Sequence, residues 1–264
     1  MIVDTFLFNN EFDMLDIHLE ISKNYVDKWI VLEADRTLSG IKKEFHLQKN
    51  IQKYKEKYRD RFEVVSLELE PNHLHASYYE TGMRRGFKSS LDKLNPEDIV
   101  IHGDLDEIIN PVKWDKIVDI LILEDKPVSC AFEMFFYKFD QQADRNWKGS
   151  VVAKKKMFDT PHDLYKGRTE IVKRKYRDHC VSIDELAGWH WSWIHSDEII
   201  KDKVDSLIEH RGRNPIDVLT AFKNVDTKTA INHKCSSQIV KTIYPAIVLD
   251  IIKKYPSYWH DPIL

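Results

Sequence analysis

The sequence predicts an α/β fold built on a single, mostly parallel, Rossmann-like sheet flanked by helices. Short apolar runs alternate with amphipathic stretches over residues 1–111. The runs at 2–8, 28–33, 62–67 and 98–102 have the length and the β-branched content of buried strands. This alternation is typical of βαβ units, in which each helix returns the chain to the same edge of the sheet.

Amphipathic stretches between these runs predict the connecting helices. In the first helix, Phe12, Leu15 and Leu19 recur at helical spacing, and an asparagine before them is suited to cap it. Further helices of this half are predicted at 45–57 and 76–94.

The second half of the chain has a less regular pattern. It predicts a long aromatic strand at 128–139 and a further strand at 168–174. Helices are expected at 112–123, 197–210, 215–223 and 239–254. We therefore expect a single domain over 1–264, with a regular half at 1–111 and a less regular half at 112–264.

Composition excludes several classes of protein. With 264 residues, 42% of them hydrophobic, the chain can bury a sizeable core, and its net charge of −3 argues against broad attraction to nucleic acid. No apolar run reaches the ~20 residues of a membrane-spanning helix, so no membrane span is expected. Three dispersed cysteines fit a reducing compartment, and the N-terminus resembles a strand more than a signal peptide. A cytoplasmic protein is expected.

Three carboxylates follow the fourth apolar run, at Asp104, Asp106 and Glu107. In an extended segment the side chains of Asp104 and Asp106 point the same way, and two adjacent carboxylates favour a cation between them. Mg²⁺ or Mn²⁺ suits such oxygen ligands and commonly holds a phosphate-bearing substrate. The alternative is a strand followed by a solvated acidic turn.

A second unusual segment is Gly-Trp-His-Trp-Ser-Trp at 188–193. If it is extended, Trp189, Trp191 and Trp193 share one face, and His190 lies on the other. His190 would then supply a ring nitrogen to a metal, and a tryptophan would stack on a sugar. The alternative is an aromatic core strand with a satisfied histidine.

Charged side chains near the predicted ligand edge are further candidates. Ligands of such sheets bind outside the carboxyl ends of the strands, where Glu33 and Asp104 close the second and fourth runs. Glu33 or Asp35 would bind a ribose hydroxyl or a base edge, and Arg84 or Arg85 a diphosphate. Capping acids and ordinary surface arginines are the alternatives, and His73 and His75 are interpreted as exposed loop residues.

Four segments, in this order, resemble glycosyltransferase family 17. Residues 8–19 are similar to its opening strand–helix signature, with His18 where the family usually carries arginine. Residues 31–40 resemble the segment after its second strand, with Ala34 and Asp35 in place of Ser and Asn.

The other two segments carry the chemistry of the resemblance. Residues 96–108 resemble the stretch that holds the Asp-x-Asp-Glu motif, and 188–193 the Gly-Trp-His-x-Ser block, after which a lysine follows at 201 or 203. The resemblance spans roughly 2–255.

The resemblance implies a GT-A-type fold and metal-dependent, inverting transfer of a sugar from a nucleotide sugar. The best-known members are β-1,4-mannosyl-glycoprotein β-1,4-N-acetylglucosaminyltransferases, so a UDP donor, GlcNAc and a glycan or glycoconjugate acceptor are the default. Residues 1–111 would bind the nucleotide sugar, and 112–264, with the C-terminal helices, the acceptor. Animal members begin with a membrane anchor, whereas this sequence begins at its first strand. We therefore still expect a cytoplasmic protein.

Roles carried over by position complete the expected site. Asp104, Asp106 and His190 would hold Mn²⁺ or Mg²⁺, and Glu107 would act behind them or orient the sugar. The general base is assigned to Glu185, with Asp184 and Glu133 as alternatives. Contacts to the nucleotide sugar are expected from Glu11, Glu33, Arg36, Arg84, Asp104 and Trp189.

Two other functions remain open at this stage. Phosphatases of the haloacid-dehalogenase kind also place Asp-x-Asp after a strand, but usually at the start of the domain and with Thr or Val where Ile108 stands. A non-catalytic carbohydrate-binding protein would use the tryptophan row, although the acidic cluster argues against it.

Overall fold

The computed structural model describes residues 1–71, 77–159, 181–207, 212–226, 236–241 and 244–260. The strands in these residues form one sheet. They are β1 (Ile2–Phe8), β2 (Lys28–Ala34), β3 (Phe62–Leu67), β4 (Ile99–Asp104), β5 (Glu107–Ile109), β6 (Val128–Phe136), β7 (Gln141–Lys154), β8 (Val181–Ser192) and β9 (Ser237–Ile239).

Helices flank this sheet and connect its strands. They are α1 (Phe12–Ser22), α2 (His46–Lys49), α3 (Ile51–Tyr58), α4 (Ser77–Gly86), α5 (Lys88–Leu91), α6 (Trp114–Glu124), α7 (Asp197–Ser206), α8 (Pro215–Lys223) and α9 (Ala246–Ile252). In the described part of the chain, no helix combines the length and the hydrophobicity needed to cross a membrane.

The first half of the sheet is parallel and has the strand order β3-β2-β1-β4. Phe8 pairs with Glu33, and Leu7 pairs with Asp104, so the carboxyl ends of three strands meet at one edge. The predicted α/β class with a Rossmann-like sheet flanked by helices is confirmed. This edge is where a ligand is expected in such sheets.

The second half of the sheet is mixed. β4 pairs antiparallel with β7, β7 with β6, and β5 with β8, whereas β6 and β8 are parallel. β5 is the short return of the chain after the acidic turn, and its pairing with β8 brings Glu107 opposite His190. The two segments singled out in the sequence are therefore neighbours in the sheet.

Several predicted boundaries differ from the observed ones. The predicted helix at 45–57 is divided into α2 and α3. The helix predicted at 239–254 begins only at Ala246, with Pro245 at its N-cap position. β7 was not predicted because its first half is polar, and the predicted strand at 168–174 lies outside the described residues.

Gly188 permits the close approach of β5 to β8. A Cβ atom at this position would lie 2.0 Å from the backbone oxygen of Ile108 and 2.8 Å from the backbone nitrogen of Asn110. Because both neighbours are backbone atoms of a paired strand, neither can move without breaking the ladder. The glycine of the Gly-Trp-His segment therefore has a structural role.

The Gly188→Ala variant is expected to lower the free energy of unfolding by about 3 kcal/mol, since the added methyl group overpacks the strand pair. Urea unfolding measures this change. The matched control is Gly82→Ala in α4, where the nearest atom to the new methyl is a flexible Leu69 carbon at 3.2 Å. The control should alter stability by less than about 1 kcal/mol. Equal stability of Gly188→Ala and the wild type would contradict the assigned role.

Candidate active site

A cavity of about 380 Å³ opens at the carboxyl ends of β1, β2 and β4. Its other walls come from α4, from the end of β8 and from α7. The charged and imidazole side chains that line it are Glu11, Arg36, Lys43, Glu80, Arg84, Asp104, Asp106, His190, His195 and Lys203. Several sequence candidates are thus brought together at one site.

Asp104 faces a guanidinium group that comes from α4. Arg84 Nη2 donates to Asp104 Oδ1 at 2.8 Å, and Arg84 Nε donates to Glu80 Oε1 at 3.1 Å. The side chain of Arg84 is 4% exposed, and its buried Nη1 atom finds no hydrogen-bond partner among the described residues. At the wall of the cavity, one donor of this arginine is therefore not satisfied by any described residue.

Asp106 lies between two nitrogen-bearing side chains. Its Oδ1 atom is 3.5 Å from His190 Nε2, and its Oδ2 atom is 3.7 Å from Lys203 Nζ. Burial alone would raise the pKa of Asp106, but His190 and Lys203 hold this pKa far below its usual range. Asp106 is therefore a carboxylate at neutral pH.

Lys203 connects α7 to the start of α1 and to the acidic turn. Its Nζ atom lies 3.5 Å from Glu11 Oε1 and 3.3 Å from His195 Nε2. Burial opposes its charge, but Asp106 and Glu11 raise the pKa of Lys203 above its ordinary value. Burial, followed by the charge of Lys203, lowers the pKa of His195 to about 3. The lysine is thus charged and His195 is neutral at neutral pH.

Glu11 is an ionised member of the same cluster. Burial would raise its pKa, but Lys203 and His195 lower it below the ordinary value. Its second carboxylate oxygen accepts hydrogen bonds from the backbone N–H groups of Asn9 and Asn10, at 3.1 and 3.3 Å. The carboxylate is fixed at the end of β1, facing Lys203.

The donor set at Asp106 fits a metal that a phosphate completes. Within the described residues, no group of three or more His, Cys, Asp or Glu side chains is arranged to hold a metal ion. Asp106 Oδ1 and His190 Nε2 nevertheless offer an oxygen and a nitrogen side by side, 3.5 Å apart. Mg²⁺ is commonly held by one or two carboxylates with substrate phosphates, and imidazole suits Mn²⁺.

Glu107 does not line the cavity, which agrees with a place behind the ligands and not with a contact that orients the sugar. Its carboxylate accepts hydrogen bonds from Trp147 Nε1 at 2.7 Å and from Ser150 Oγ at 2.8 Å, and the backbone N–H of Asp104 donates to it at 3.3 Å. Because its oxygens bind β7 and the turn, Glu107 positions the acidic turn.

Glu33 is likewise corrected from a nucleotide ligand to a capping residue. Its fully buried carboxylate accepts from the backbone N–H groups of Leu47 and Gln48, at 2.9 and 3.2 Å. Lys43 Nζ donates to its other oxygen at 3.2 Å. The side chain follows β2, as expected, but it turns toward α2 and away from the cavity.

Trp189 belongs to the core and does not line the cavity, so its expected contact with the sugar is wrong. It stacks on Trp191 at 5.7 Å and packs against Tyr244 at 5.3 Å between ring centroids. Trp193 lines the cavity instead. Its backbone has a φ of 62°, which ends the alternation of β8 and turns the ring away from the face shared by Trp189 and Trp191.

Arg36 lines the cavity but also holds its own loop. Its Nε atom donates to the backbone oxygen of Leu69 at 2.8 Å, and its Nη1 atom donates to that of Gly40 at 3.2 Å. Two of its five N–H donors therefore hold the loop that follows β2.

The structure places none of the candidates for the general base in the described lining of the cavity. The side chains of Glu185 and Asp184 lie outside the described part of the chain. His73 and His75, which were interpreted as loop residues, also lie outside it. Glu133 is absent from the cavity wall, and burial raises its pKa. The assignment of Glu185 stays a prediction.

Sequence reasoning missed His195 as a site residue. A sequence signal did exist, because His195 lies between the tryptophan segment and the lysine at 203, both of which were singled out. The signal was hidden because the positive φ of Trp193 breaks the two-residue period on which the strand interpretation depended.

A known protein family matches most of the chain. Residues 1–209 match the family model described as Glycosyltransferase family 17. No curated protein was found to match the sequence.

Solved structures resemble the chain weakly. A 4-diphosphocytidyl-2C-methyl-D-erythritol synthase from Anaerococcus prevotii is 11% identical, with a TM-score of 0.43 over 76% of this chain and 95% of that chain. A putative glucose-1-phosphate thymidylyltransferase from Bacillus anthracis, in complex with sucrose, is 7% identical, with a TM-score of 0.42 over 69% and 85%. A mannose-6-phosphate isomerase from Helicobacter pylori is 12% identical, with a TM-score of 0.36 over 60% and 72%. Likenesses of this degree carry no argument about function.

The depressed pKa of His195 predicts a pH dependence of stability. Between the unfolded-state pKa of 6.5 and the folded-state pKa of about 3, the unfolded chain binds more protons at this residue, so stability falls as pH falls through this window. At pH 5 the loss attributable to His195 should be about 2 kcal/mol, and it should be absent above pH 8.

Urea unfolding of the wild type and of His195→Gln between pH 8 and pH 5 measures this loss. Glutamine retains an acceptor for Lys203 but does not titrate, so the decline of its stability with pH should be shallower. Parallel stability curves for the two proteins would contradict the assignment of a neutral, buried His195.

Proposed function

The chain belongs to glycosyltransferase family 17, and from this membership we propose that it transfers a sugar, by default GlcNAc, from a UDP-sugar to a glycan or glycoconjugate acceptor, with inversion and with the help of Mn²⁺ or Mg²⁺. The observation that carries the proposal is the cavity at the carboxyl ends of β1, β2 and β4. There, ionised Asp106 lies beside His190, Lys203 and the acidic turn.

The nucleotide end of the donor is proposed to lie near β2 and α4. Arg36 and Lys43 line this end of the cavity, and Arg84 has a buried Nη1 atom there that no described residue satisfies. A guanidinium group binds phosphate oxygens with good geometry, so an incoming diphosphate would satisfy that donor. Arg84 also keeps Asp104 in place through its Nη2 atom.

The balance of charge in the cavity favours a metal ion. Among the described residues that line it, four are carboxylates (Glu11, Glu80, Asp104, Asp106) and four are basic (Arg36, Lys43, Arg84, Lys203). These charges cancel, whereas a nucleotide diphosphate brings at least two negative charges. Asp106 and His190 would hold the ion, which when bound would offset the charge of the departing diphosphate as a Lewis acid.

Lys203 is proposed as a positive charge that belongs to the protein itself. Its Nζ atom lies at 3.3 to 3.7 Å from His195, Glu11 and Asp106, in the wall of the cavity. These contacts are longer than the usual 2.7–2.9 Å of strong charge-assisted hydrogen bonds. A phosphate oxygen would therefore offer the ammonium group a closer partner than these three side chains do.

The acceptor is proposed to approach from the β8 side. Met134, Trp147, Ser192 and Trp193 line that part of the cavity. Aromatic rings suit the C–H faces of sugars, and a hydroxyl such as that of Ser192 can orient a sugar by hydrogen bonding. The first and second halves of the sheet would then hold donor and acceptor respectively.

The Asp106→Asn variant tests donor binding. A ligand that binds only the folded state raises the melting temperature, so UDP or a UDP-sugar with Mn²⁺ should raise that of the wild type. The shift should be lost in Asp106→Asn and should largely disappear when EDTA replaces Mn²⁺. UDP, GDP, CMP and their sugars are compared by thermal shift.

Asp140→Asn is the matched control, because Asp140 is also a buried aspartate with a histidine partner, His260, but lies outside the cavity lining. It should retain the full response to UDP with Mn²⁺. A wild-type protein that responds to no nucleotide in the presence of Mn²⁺ would contradict the proposal and favour a non-catalytic carbohydrate-binding protein.

The Glu185→Gln variant tests the general base. In an inverting displacement, one carboxylate takes the proton of the acceptor hydroxyl. The variant should therefore lose transfer by roughly a hundredfold or more and keep the UDP-dependent thermal shift of the wild type. Normal turnover would dismiss Glu185, and the same assay on Asp184→Asn would then test the alternative.

A further inference from the structure

A buried histidine of α1, which does not line the cavity, binds the centre of the acidic turn. His18 is 4% exposed, and its Nδ1 atom lies 2.8 Å from the backbone oxygen of Leu105, the residue between Asp104 and Asp106. Its Nε2 atom lies 2.8 Å from Oδ2 of Asp4, which is 3% exposed. The ring therefore connects β1 and α1 to the centre of the turn.

Both partners of the ring are acceptors. A backbone carbonyl oxygen has no proton to donate, and an ionised carboxylate has none either. A neutral imidazole carries a single N–H and would leave one acceptor facing a lone pair at 2.8 Å. An imidazolium ion paired with the Asp4 carboxylate satisfies both contacts, and the pair compensates its own charge within the core.

The backbone of the turn is also hydrogen-bonded on either side of Leu105. The backbone oxygen of Asp106 accepts from the N–H of Trp191 at 2.8 Å, and the N–H of Asp104 donates to Glu107 at 3.3 Å. His18 holds the peptide between them. Loss of this bond would remove the contact between α1 and the centre of the turn.

We propose that His18 is a doubly protonated positioning residue, which fixes the Leu105 carbonyl and thereby the placement of Asp104 and Asp106 toward the donor. The role rests on the proposed function, since it concerns the same site. His18 touches neither donor nor acceptor and acts only through the turn. A charge-assisted bond to the carbonyl is stronger than a neutral one, which suits a turn whose two acids must keep a fixed separation.

The protonation of His18 is tested by nitrogen NMR of the ¹⁵N-labelled wild type, with His18→Gln used to assign its signals among the 12 histidines. Both ring nitrogens of His18 should report bound protons at pH 7.5. A ring with one bare nitrogen would overturn the ion pair and place the shared proton on Asp4.

The Asp4→Asn variant tests the protonation of His18 independently if His18→Gln does not fold. An asparagine amide donates to Nε2, so the ring should become neutral while Nδ1–H still binds Leu105. His18 should then lose one of its two N–H signals. Two protonated nitrogens in Asp4→Asn would show that Asp4 is not the partner of the charge.

The positioning role is tested by UDP affinity in the presence of Mn²⁺. His18→Gln should weaken UDP binding roughly tenfold or more, because displacement of the acids by a fraction of an ångström is costly in such sites, and Asp4→Asn should weaken it less. Ser22→Ala is the matched control in the same helix, since it removes the hydroxyl bonds to the His18 backbone oxygen and to Trp29 Nε1. This control should lower the melting temperature and leave UDP affinity unchanged.

The outcomes separate this inference from the proposed function. UDP affinity of His18→Gln within twofold of the wild type, or a loss of affinity equal to that of Ser22→Ala, would overturn the positioning role alone. A wild-type protein that binds no nucleotide would overturn the proposed function and the positioning role together, while the protonation result would stand by its own measurement.

Discussion

The rest of the cavity depends on the ion pairs that Lys203 makes with Glu11 and Asp106. The ammonium group lies between the carboxylates of Glu11 and Asp106, which belong to the first helical turn and to the acidic turn after β4. Two buried carboxylates this close would repel each other, and an unpaired buried charge is strongly destabilising. One lysine from α7 therefore joins three segments that are far apart in the sequence. Burial, and then the charge of this lysine, lower the pKa of His195 and keep it neutral.

The parallel half of the sheet could be predicted because its signal is local. The apolar run at 2–8 coincides with β1, whose residues are largely buried, and the run at 62–67 coincides with the half-buried β3 at the edge of the sheet. β7 gives no such signal, since its first residues are polar and its strand conformation depends on pairing with β4, β6 and β9. Tertiary pairing, and not propensity, determines this strand.

The acids of the site were found from the sequence because they are adjacent to a strand end, but the direction of a side chain is not encoded by its neighbours alone. Glu33 follows β2 at the ligand edge, yet α2 presents two backbone N–H groups that attract its carboxylate away from the cavity. Glu107, next to Asp106, turns to Trp147 and Ser150 on β7, a strand that was not predicted. The direction of each side chain is set by partners that only the fold supplies.

The backbone conformation of Trp193, which the strand pattern did not predict, affects the position of cavity residues that follow it. A bulky residue in the left-handed region costs on the order of 1 kcal/mol or more, and it persists only where its surroundings hold it. Here the ring packs on Phe222 at 5.6 Å, and the turn leads directly to His195 and to Ser196, whose side chain caps α7. The local strain thus sets the direction in which α7 leaves the sheet, and Lys203 reaches Asp106 and Glu11 only because α7 begins there.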